Sequence, residues 1–288
     1  MIGAVVREAR PKQWLKNVLV FAAPAALGDI DGTLVLRAVT VFVAFCMTAS
    51  GTYYWNDIKD VEADRLHPKK RNRPIASGDI PLATARIIGT VLLLGGPAVA
   101  WTARPEAGMI VALYAVLTVG YSTRWKHVPV VDLAVVASGF VLRAMAGAAG
   151  TDTHMSKWFV LCTSFGSFFI VTGKRFAELN EMGADAATTR RSLAQYTPGF
   201  LRQILGVSCT ATVFSYCLWA FENGEAVSGF PWHGLSIVPM VLALLRYMLV
   251  VENGGGEAPE EVFTKDRAIQ SYGLAWLVVY GLGVYLGK

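Results

Sequence analysis

Residues 53–78 decide the fold and carry the most informative chemistry of the chain; they read YYWNDIKDVEADRLHPKKRNRPIASG. A long apolar run ends here, and Asp57, Asp60 and Asp64 follow at positions i, i+3 and i+7. If the helix continues past the apolar run, this spacing stacks the three carboxylates on one face. Unpartnered carboxylates on one face repel one another, and a divalent cation removes that cost. The spacing therefore predicts an Mg²⁺ site, because Mg²⁺ takes hard oxygen ligands and bridges to substrate phosphates.

Four cations follow the aspartates closely, at Lys69, Lys70, Arg71 and Arg73. Lysine and arginine at such a distance from a metal site are typical of a phosphate clamp. We take Lys70 and Arg73 as substrate-binding candidates and Asn56 as a helper of the aspartates. The alternative is a solvated loop beside the membrane, whose charges only set topology.

Composition indicates a polytopic membrane protein of all-α class, since 54% of the 288 residues are hydrophobic and only 16% are charged. The net charge of +5 does not predict a nucleic-acid partner, because membrane topology also demands basic residues. The four cysteines lie in apolar runs without paired or metal-type spacing, which disfavours disulfides and zinc.

Nine apolar segments approach the length that crosses a bilayer as a helix. The first of them is short and contains Pro24. The predicted spans are residues 14–29, 34–55, 82–102, 106–122, 129–149, 156–173, 199–221, 234–251 and 270–287.

Basic residues are distributed very unevenly between the two sides of this arrangement. With the N-terminus inside, nineteen of the 26 lysines and arginines fall on the cytoplasmic side. The outer side holds four, namely Arg37, Arg104, Lys157 and Lys288. This asymmetry predicts an inside N-terminus, an outside C-terminus and cytoplasmic loops at 56–81, 122–128, 174–198 and 252–269.

Further charged residues lie near the cytoplasmic ends of later spans. Tyr121, Lys126 and Asp132 flank the fourth and fifth spans, and we take all three as substrate-binding candidates. Arg143 lies three helical turns after Asp132, about 16 Å away, so the two cannot pair. An arginine so deep in a span is a functional candidate, or a structural residue satisfied by an interhelical partner.

A third group leaves the sixth span as Lys174, Arg175 and Glu178, with Arg191 further on. Their spacing allows one amphipathic turn to hold the first three. They form either a second phosphate-binding surface or a surface helix stabilised by its own ion pairs. At the N-terminus, we expect Lys16 to aim an ammonium at the aspartates, although positive-inside anchoring also explains it.

The pattern N-D-x-x-D-x-x-x-D at residues 56–64, followed by Arg73-Pro74-Ile75 and Gly78, resembles the first signature of the UbiA-type intramembrane prenyltransferases. The resemblance covers essentially the whole chain. It implies a single transmembrane domain over residues 1–288, with nine helices around a cavity capped on the cytoplasmic side.

Five further segments are most similar to the polyprenyl-phosphate (decaprenyl-phosphate) phosphoribosyltransferases of this superfamily. These segments lie at residues 10–17, 67–74, 121–126, 140–147 and 173–179. Members that prenylate aromatic rings usually carry a second aspartate-rich run after the sixth helix, where this chain has Lys174-Arg175 and glutamates.

The resemblance implies transfer of the 5-phosphoribosyl group from phosphoribosyl diphosphate to a polyprenyl phosphate in the inner membrane, for arabinan precursor and cell-wall synthesis. The same sites fit two alternatives: an aromatic-ring prenyltransferase with an isoprenyl diphosphate donor, and a lipid transporter. Clustering of the carboxylates at one membrane face disfavours transport, whose sites lie near the midplane. A second copy of the chain also counts as a candidate partner.

Overall fold

The computed structural model describes residues 1–26, 31–182, 192–222 and 230–286, and within these ranges the regular structure is helical. The α-helices are α1 (Ile2–Glu8), α2 (Ala22–Ala25), α3 (Gly32–Lys59), α4 (Val61–Leu66), α5 (Leu82–Ala103), α6 (Pro105–Thr123), α7 (Val131–Thr151), α8 (Lys157–Met182), α9 (Pro198–Glu222), α10 (Trp232–Glu252), α11 (Pro259–Lys265) and α12 (Arg267–Leu286). Short 3₁₀ helices cover Pro11–Phe21, Lys70–Asn72, Trp125–His127 and Leu193–Gln195.

Seven of the described helices are long and apolar enough to cross a membrane: α3, α5, α6, α7, α9, α10 and α12. The all-α membrane class is therefore confirmed, and the chain is a multi-pass membrane protein. The count of nine spans is not confirmed. The sixth predicted span belongs to α8, which has 26 residues and runs past Lys174 to Met182, where a loop was predicted.

The first predicted span, 14–29, differs most from the structure. Residues 11–21 form a 3₁₀ helix and only Ala22–Ala25 are α-helical, while residues 27–30 lie outside the described part. Pro11 opens the 3₁₀ helix and Pro24 lies in the short α-helix, so each removes a backbone donor. At roughly 2.0 Å per residue, eleven 3₁₀ residues extend about 22 Å, less than the hydrocarbon core of a bilayer.

The described chain divides into two compact units. Unit 1 comprises residues 1–123 and 142–154, and unit 2 comprises residues 124–141 and 155–288. The single domain over residues 1–288 stays a prediction.

In unit 1, α3 packs tightly against α5, and Val41, Ala44 and Phe45 contribute to a buried apolar core. The closest approach is at Gly51, where an added Cβ would meet the backbone nitrogen of Leu93 at 2.5 Å. A side chain at position 51 would push the helices apart, because the obstacle is backbone. This packing fixes the end of α3 that carries Asp57.

In unit 2, α8 packs against α9 and α10 against α12. Leu133, Phe169, Leu201, Leu205 and Tyr247 are among the residues of its buried core. Phe169, Val171 and Phe176 place α8 in this core. The polar residues on the same turns of α8 are therefore fixed in position by the packing of their neighbours. Lys174, Arg175 and Glu178 lie on those turns.

Candidate active site

Five charged residues of unit 1 form what we call the first charged cluster: Glu8, Arg10, Asp57, Asp64 and Arg73. Arg10 Nη2 donates to both carboxylate oxygens of Asp57, at 2.7 and 2.5 Å. Arg73 Nη1 donates to Asp57 Oδ1 at 3.1 Å and to Asp64 Oδ2 at 2.7 Å. The two aspartates are only 4% and 3% exposed, so these arginines neutralise carboxylates that water hardly reaches.

The backbone of Arg10 is left-handed, with φ 52°, at the junction between α1 and the 3₁₀ helix. This conformation is uncommon for a residue other than glycine and is found where surrounding contacts enforce it. Two hydrogen bonds hold α1 on α3: Tyr54 Oη donates to the Val5 carbonyl at 3.0 Å, and Ser50 Oγ to the Ala9 carbonyl at 2.9 Å. These bonds and the turn bring the Arg10 guanidinium to Asp57.

Glu8 ends α1 and is 1% exposed, and neither of its carboxylate oxygens accepts a hydrogen bond. Burial and the adjacent Asp57 carboxyl raise the pKa of Glu8 to about 8, although Arg10 and Arg73 oppose the shift. Glu8 and Arg10 are not among the site residues that the sequence predicts. Arg10 lies in a motif quoted above, whereas no pattern in the sequence marks Glu8.

The structure does not bring the third aspartate of the motif to this cluster. Asp60 separates α3 from α4 and is exposed, although the backbone N–H of Asp64 still donates to the Asp60 carbonyl at 2.8 Å. The predicted single face of three carboxylates is thus reduced to two buried carboxylates and one exposed carboxylate. Asn56 is half-buried, one residue before Asp57.

Three other predicted residues of unit 1 have other surroundings. Lys70 is exposed in its 3₁₀ helix. Lys16 Nζ donates to Gln13 Oε1 at 2.7 Å, so in this structure the ammonium bonds within its own helix. Tyr121 is half-buried near the end of α6.

The donor set of the first charged cluster suits a hard divalent cation. Nowhere in the described ranges do three carboxylate, imidazole or thiol groups lie close enough to hold one ion. Mg²⁺ does not need such a cage, because it is commonly bound by one or two carboxylates together with waters and substrate phosphates. The carboxylates of Asp57 and Asp64, which are paired with arginines in this structure, and the unpartnered carboxyl of Glu8 are the oxygens that would hold it.

Unit 2 contains a second charged cluster, which comprises Asp132, Arg175, Glu178, Ser192 and Tyr196. Asp132 is fully buried near the start of α7, and Tyr196 Oη donates to its Oδ1 at 2.5 Å. Ser192 Oγ lies 3.2 Å from Asp132 Oδ2, and Arg175 Nε lies 3.4 Å from the same oxygen. Arg175 Nη1 donates to Glu178 Oε2 at 2.7 Å, one helical turn along α8.

Tyr196 also stabilises an unusual backbone. Its Oη accepts a hydrogen bond at 2.6 Å from the N–H of Val130, whose φ is 67°. A β-branched residue in this region is strained, so the bond helps to hold the turn that starts α7. Burial and the hydrogen bond to Asp132 raise the pKa of Tyr196. The contact between Tyr196 and Asp132 could not be predicted from the sequence, because the two residues are 64 positions apart and share no motif.

The predicted phosphate contact of Arg175 is not supported by this geometry. Arg175 is 3% exposed, and its guanidinium pairs with two carboxylates, Asp132 and Glu178. The pair with Glu178 matches the alternative of a helix stabilised by its own ion pairs. Lys174 is more accessible, with a side chain 39% exposed and its Nζ 3.8 Å from Glu178 Oε1. Lys126 is half-buried, and its carbonyl accepts from Ser192 at 2.9 Å. Arg191 lies outside the described residues.

Arg143 is satisfied within unit 1, as its structural alternative predicts. Its Nε donates to Asn17 Oδ1 at 2.7 Å and its Nη2 to Tyr114 Oη at 3.0 Å. The guanidinium also lies over the Tyr114 ring, 4.7 Å from the centroid. These contacts tie the 3₁₀ helix and α6 to the second half of α7 and offset much of the cost of burying a charge in a span.

The contrast between Arg175 and Arg202 gives a test of the second charged cluster. Arg202 also pairs with a glutamate of unit 2, Glu252, but its side chain is 61% exposed. Arg175→Met leaves Asp132 buried without its cation and should lower the free energy of unfolding by about 3–5 kcal/mol. Arg202→Met should cost less than about 1 kcal/mol. Denaturant titration in detergent micelles measures both, and equal losses would show that the buried pair is not a stabilising contact.

Comparison with known proteins agrees with this fold and its motifs. The sequence profile described as "UbiA prenyltransferase family" matches residues 17–270. Over 99% of the chain, the sequence is 41% identical to the decaprenyl-phosphate phosphoribosyltransferase of Corynebacterium glutamicum, of which it covers 88%. It is 42% identical over its whole length to the decaprenyl-phosphate phosphoribosyltransferase of Mycobacterium tuberculosis, of which it covers 96%.

A solved structure has the same fold at much lower sequence identity. It is a UbiA homolog from Archaeoglobus fulgidus bound to GPP and Mg²⁺, which superposes with a TM-score of 0.73 at 16% identity over 98% of this chain and 99% of that one. The profile match covers most of the sequence, and the relatives cover it from end to end. The chain therefore belongs to the UbiA prenyltransferase family.

Proposed function

We propose that this protein transfers the 5-phosphoribosyl group from phosphoribosyl diphosphate to a polyprenyl phosphate, with release of diphosphate. The observation that carries the proposal is the identity of 41–42%, over essentially the whole chain, to two decaprenyl-phosphate phosphoribosyltransferases. In this reaction a phosphate oxygen of the lipid attacks the anomeric carbon of ribose, and the bond from that carbon to the diphosphate breaks. The acceptor phosphate is already anionic near neutral pH, so the step requires no general base.

The first charged cluster is assigned to the diphosphate end of the donor. Asp57 and Asp64 would hold Mg²⁺, with Asp60 and Asn56 as further oxygen donors at the same helix end. When bound, Mg²⁺ supplies charge stabilisation for the departing diphosphate. Arg10 and Arg73 neutralise the aspartates in this structure, and their guanidinium groups are suited to bidentate phosphate contacts. Two further cations are assigned to this end of the donor. They are Lys70, which is exposed and lies three residues before Arg73, and Lys16.

The second charged cluster is assigned mainly to positioning. Arg175 and Tyr196 fix Asp132 and the start of α7, because each bonds or pairs with the Asp132 carboxylate. Lys174 and Lys126 are the residues of this unit that would bind a substrate phosphate. Glu178 would orient Lys174, because the two form an ion pair. Tyr121 and the undescribed Arg191 are further substrate-binding candidates.

The reaction is assigned to the cytoplasmic face of the inner membrane. The uneven distribution of lysine and arginine supports an inside N-terminus. The polyprenyl tail would remain in the bilayer, where exposed apolar residues such as Leu94 and Val116 face lipid. A homo-oligomer is compatible with this assignment.

Asparagine variants of the two buried aspartates test the donor site. Asp57→Asn and Asp64→Asn keep the side-chain size but remove the charge, and each should lower turnover at least about 100-fold. Glu62→Gln is the matched control, because this carboxylate lies on α4 with its side chain 81% exposed; it should stay within about twofold of the parent protein. The assay follows label from phosphoribosyl diphosphate into an organic-extractable lipid, with and without chelator.

Two results would contradict the proposal. One is transfer of ribose label that persists in chelator or in Asp57→Asn, which would reject the metal assignment but not the transfer reaction. The other is efficient prenylation of an aromatic acid from an isoprenyl diphosphate without ribose label in the lipid, which would favour the ring prenyltransferase.

Single cysteines test the orientation. In a background without Cys46, Cys162, Cys209 and Cys217, Ser77→Cys lies in the loop before α5 and His154→Cys in the loop between α7 and α8. Both positions are exposed. In sealed cells a membrane-impermeant thiol reagent should label position 154 and spare position 77 until the membrane is opened. The reverse pattern would invert the topology.

A further inference from the structure

Glu8 is the feature of the first charged cluster that the motif does not account for. It is 1% exposed, and no hydrogen-bond donor reaches either carboxylate oxygen. Burying a carboxylate without a partner is costly, and proteins commonly avoid it. The position of Glu8 is enforced, because the bonds from Tyr54 and Ser50 hold the end of α1 against α3.

The charges of the cluster do not balance. It contains three carboxylates, at Glu8, Asp57 and Asp64, and two guanidinium groups. Arg10 bonds Asp57, and Arg73 bonds Asp57 and Asp64. Neither arginine forms an ion pair with Glu8 in the described structure, so Glu8 needs either a proton or another cation.

Glu8 is directed at Asp57. Its carboxyl lies within hydrogen-bonding reach of the Asp57 carboxyl. Two adjacent carboxyl groups, one of them unpartnered, match the small number of protein oxygens that Mg²⁺ uses when phosphates and waters complete its shell. Asp60, the residue that the motif would supply for this purpose, is exposed.

We propose that Glu8, together with Asp57, binds the divalent cation of the donor site. The proposal rests on the proposed function, since it deepens the assignment of Asp57 to a metal–diphosphate site. It places a metal ligand on α1, outside the aspartate motif.

Glu8→Gln separates a metal ligand from a carboxyl that is merely protonated. Glutamine has the size of glutamate and can donate a hydrogen bond to Asp57 as a protonated Glu8 would, but it cannot provide an anionic oxygen. The full chain in detergent is titrated with Mn²⁺ in the presence of inorganic diphosphate, and free Mn²⁺ is measured by electron paramagnetic resonance. This measurement does not depend on turnover.

Glu8→Gln should weaken Mn²⁺ binding by at least about tenfold, and Asp57→Asn should do the same. Glu62→Gln, which removes an exposed carboxylate close in sequence to the motif, should leave binding within about twofold. Glu8→Asp keeps the charge on a shorter side chain and should bind more tightly than Glu8→Gln. Circular dichroism and gel filtration check that each variant is folded.

Parent-like Mn²⁺ binding by Glu8→Gln, with loss in Asp57→Asn, would overturn the role of Glu8 and leave the proposed metal site intact. Parent-like binding by both variants would overturn the metal site itself. If Glu8→Gln does not fold, Glu8→Asp decides the question: weaker Mn²⁺ binding by a folded Glu8→Asp supports a ligand at this position, and parent-like binding overturns it.

Discussion

Two buried carboxylates at the end of α3 impose the main electrostatic constraint on unit 1. Asp57 and Asp64 are nearly inaccessible to water, and a carboxylate in that position needs a cation within bonding distance. Arg73 bridges the two, and Arg10, whose backbone is left-handed, bonds Asp57. The left-handed residue at the junction of α1 with the following 3₁₀ helix is therefore also the residue that neutralises Asp57.

The surrounding helices make this arrangement stable. Gly51 allows α3 to approach the backbone of α5, and the contacts of Arg143 with Asn17 and Tyr114 secure the 3₁₀ helix. Unit 2 uses a similar principle on α8, where Arg175 lies between Asp132 and Glu178. In both units, burying an ion pair costs desolvation, and the remaining hydrogen bonds of each charged cluster offset part of that cost.

Sequence patterns predicted the helices that are long and uniformly apolar, such as 82–102, which appears as Leu82–Ala103. They did not predict the 3₁₀ helix at residues 11–21, because a run of apolar residues does not distinguish 3₁₀ from α geometry. The motif predicted Asp57, Asp64 and Arg73 at one site, yet a one-residue break in the helix exposes Asp60. Glu8 and Tyr196 depend on contacts between segments far apart in the chain, which periodicity within one segment cannot reveal.

A crystal structure of the full chain with Mn²⁺ and phosphoribosyl diphosphate, with anomalous data at the manganese edge, tests the central claim most directly. We predict an anomalous peak within coordination distance of a carboxylate oxygen of Asp57, with further oxygen ligands from the neighbouring carboxylates of the first charged cluster and from the donor diphosphate. We also predict that at least one of Arg10 and Arg73 bonds a phosphate oxygen. A donor bound with no manganese peak in the first charged cluster, and with both arginines still paired to Asp57, would contradict the account.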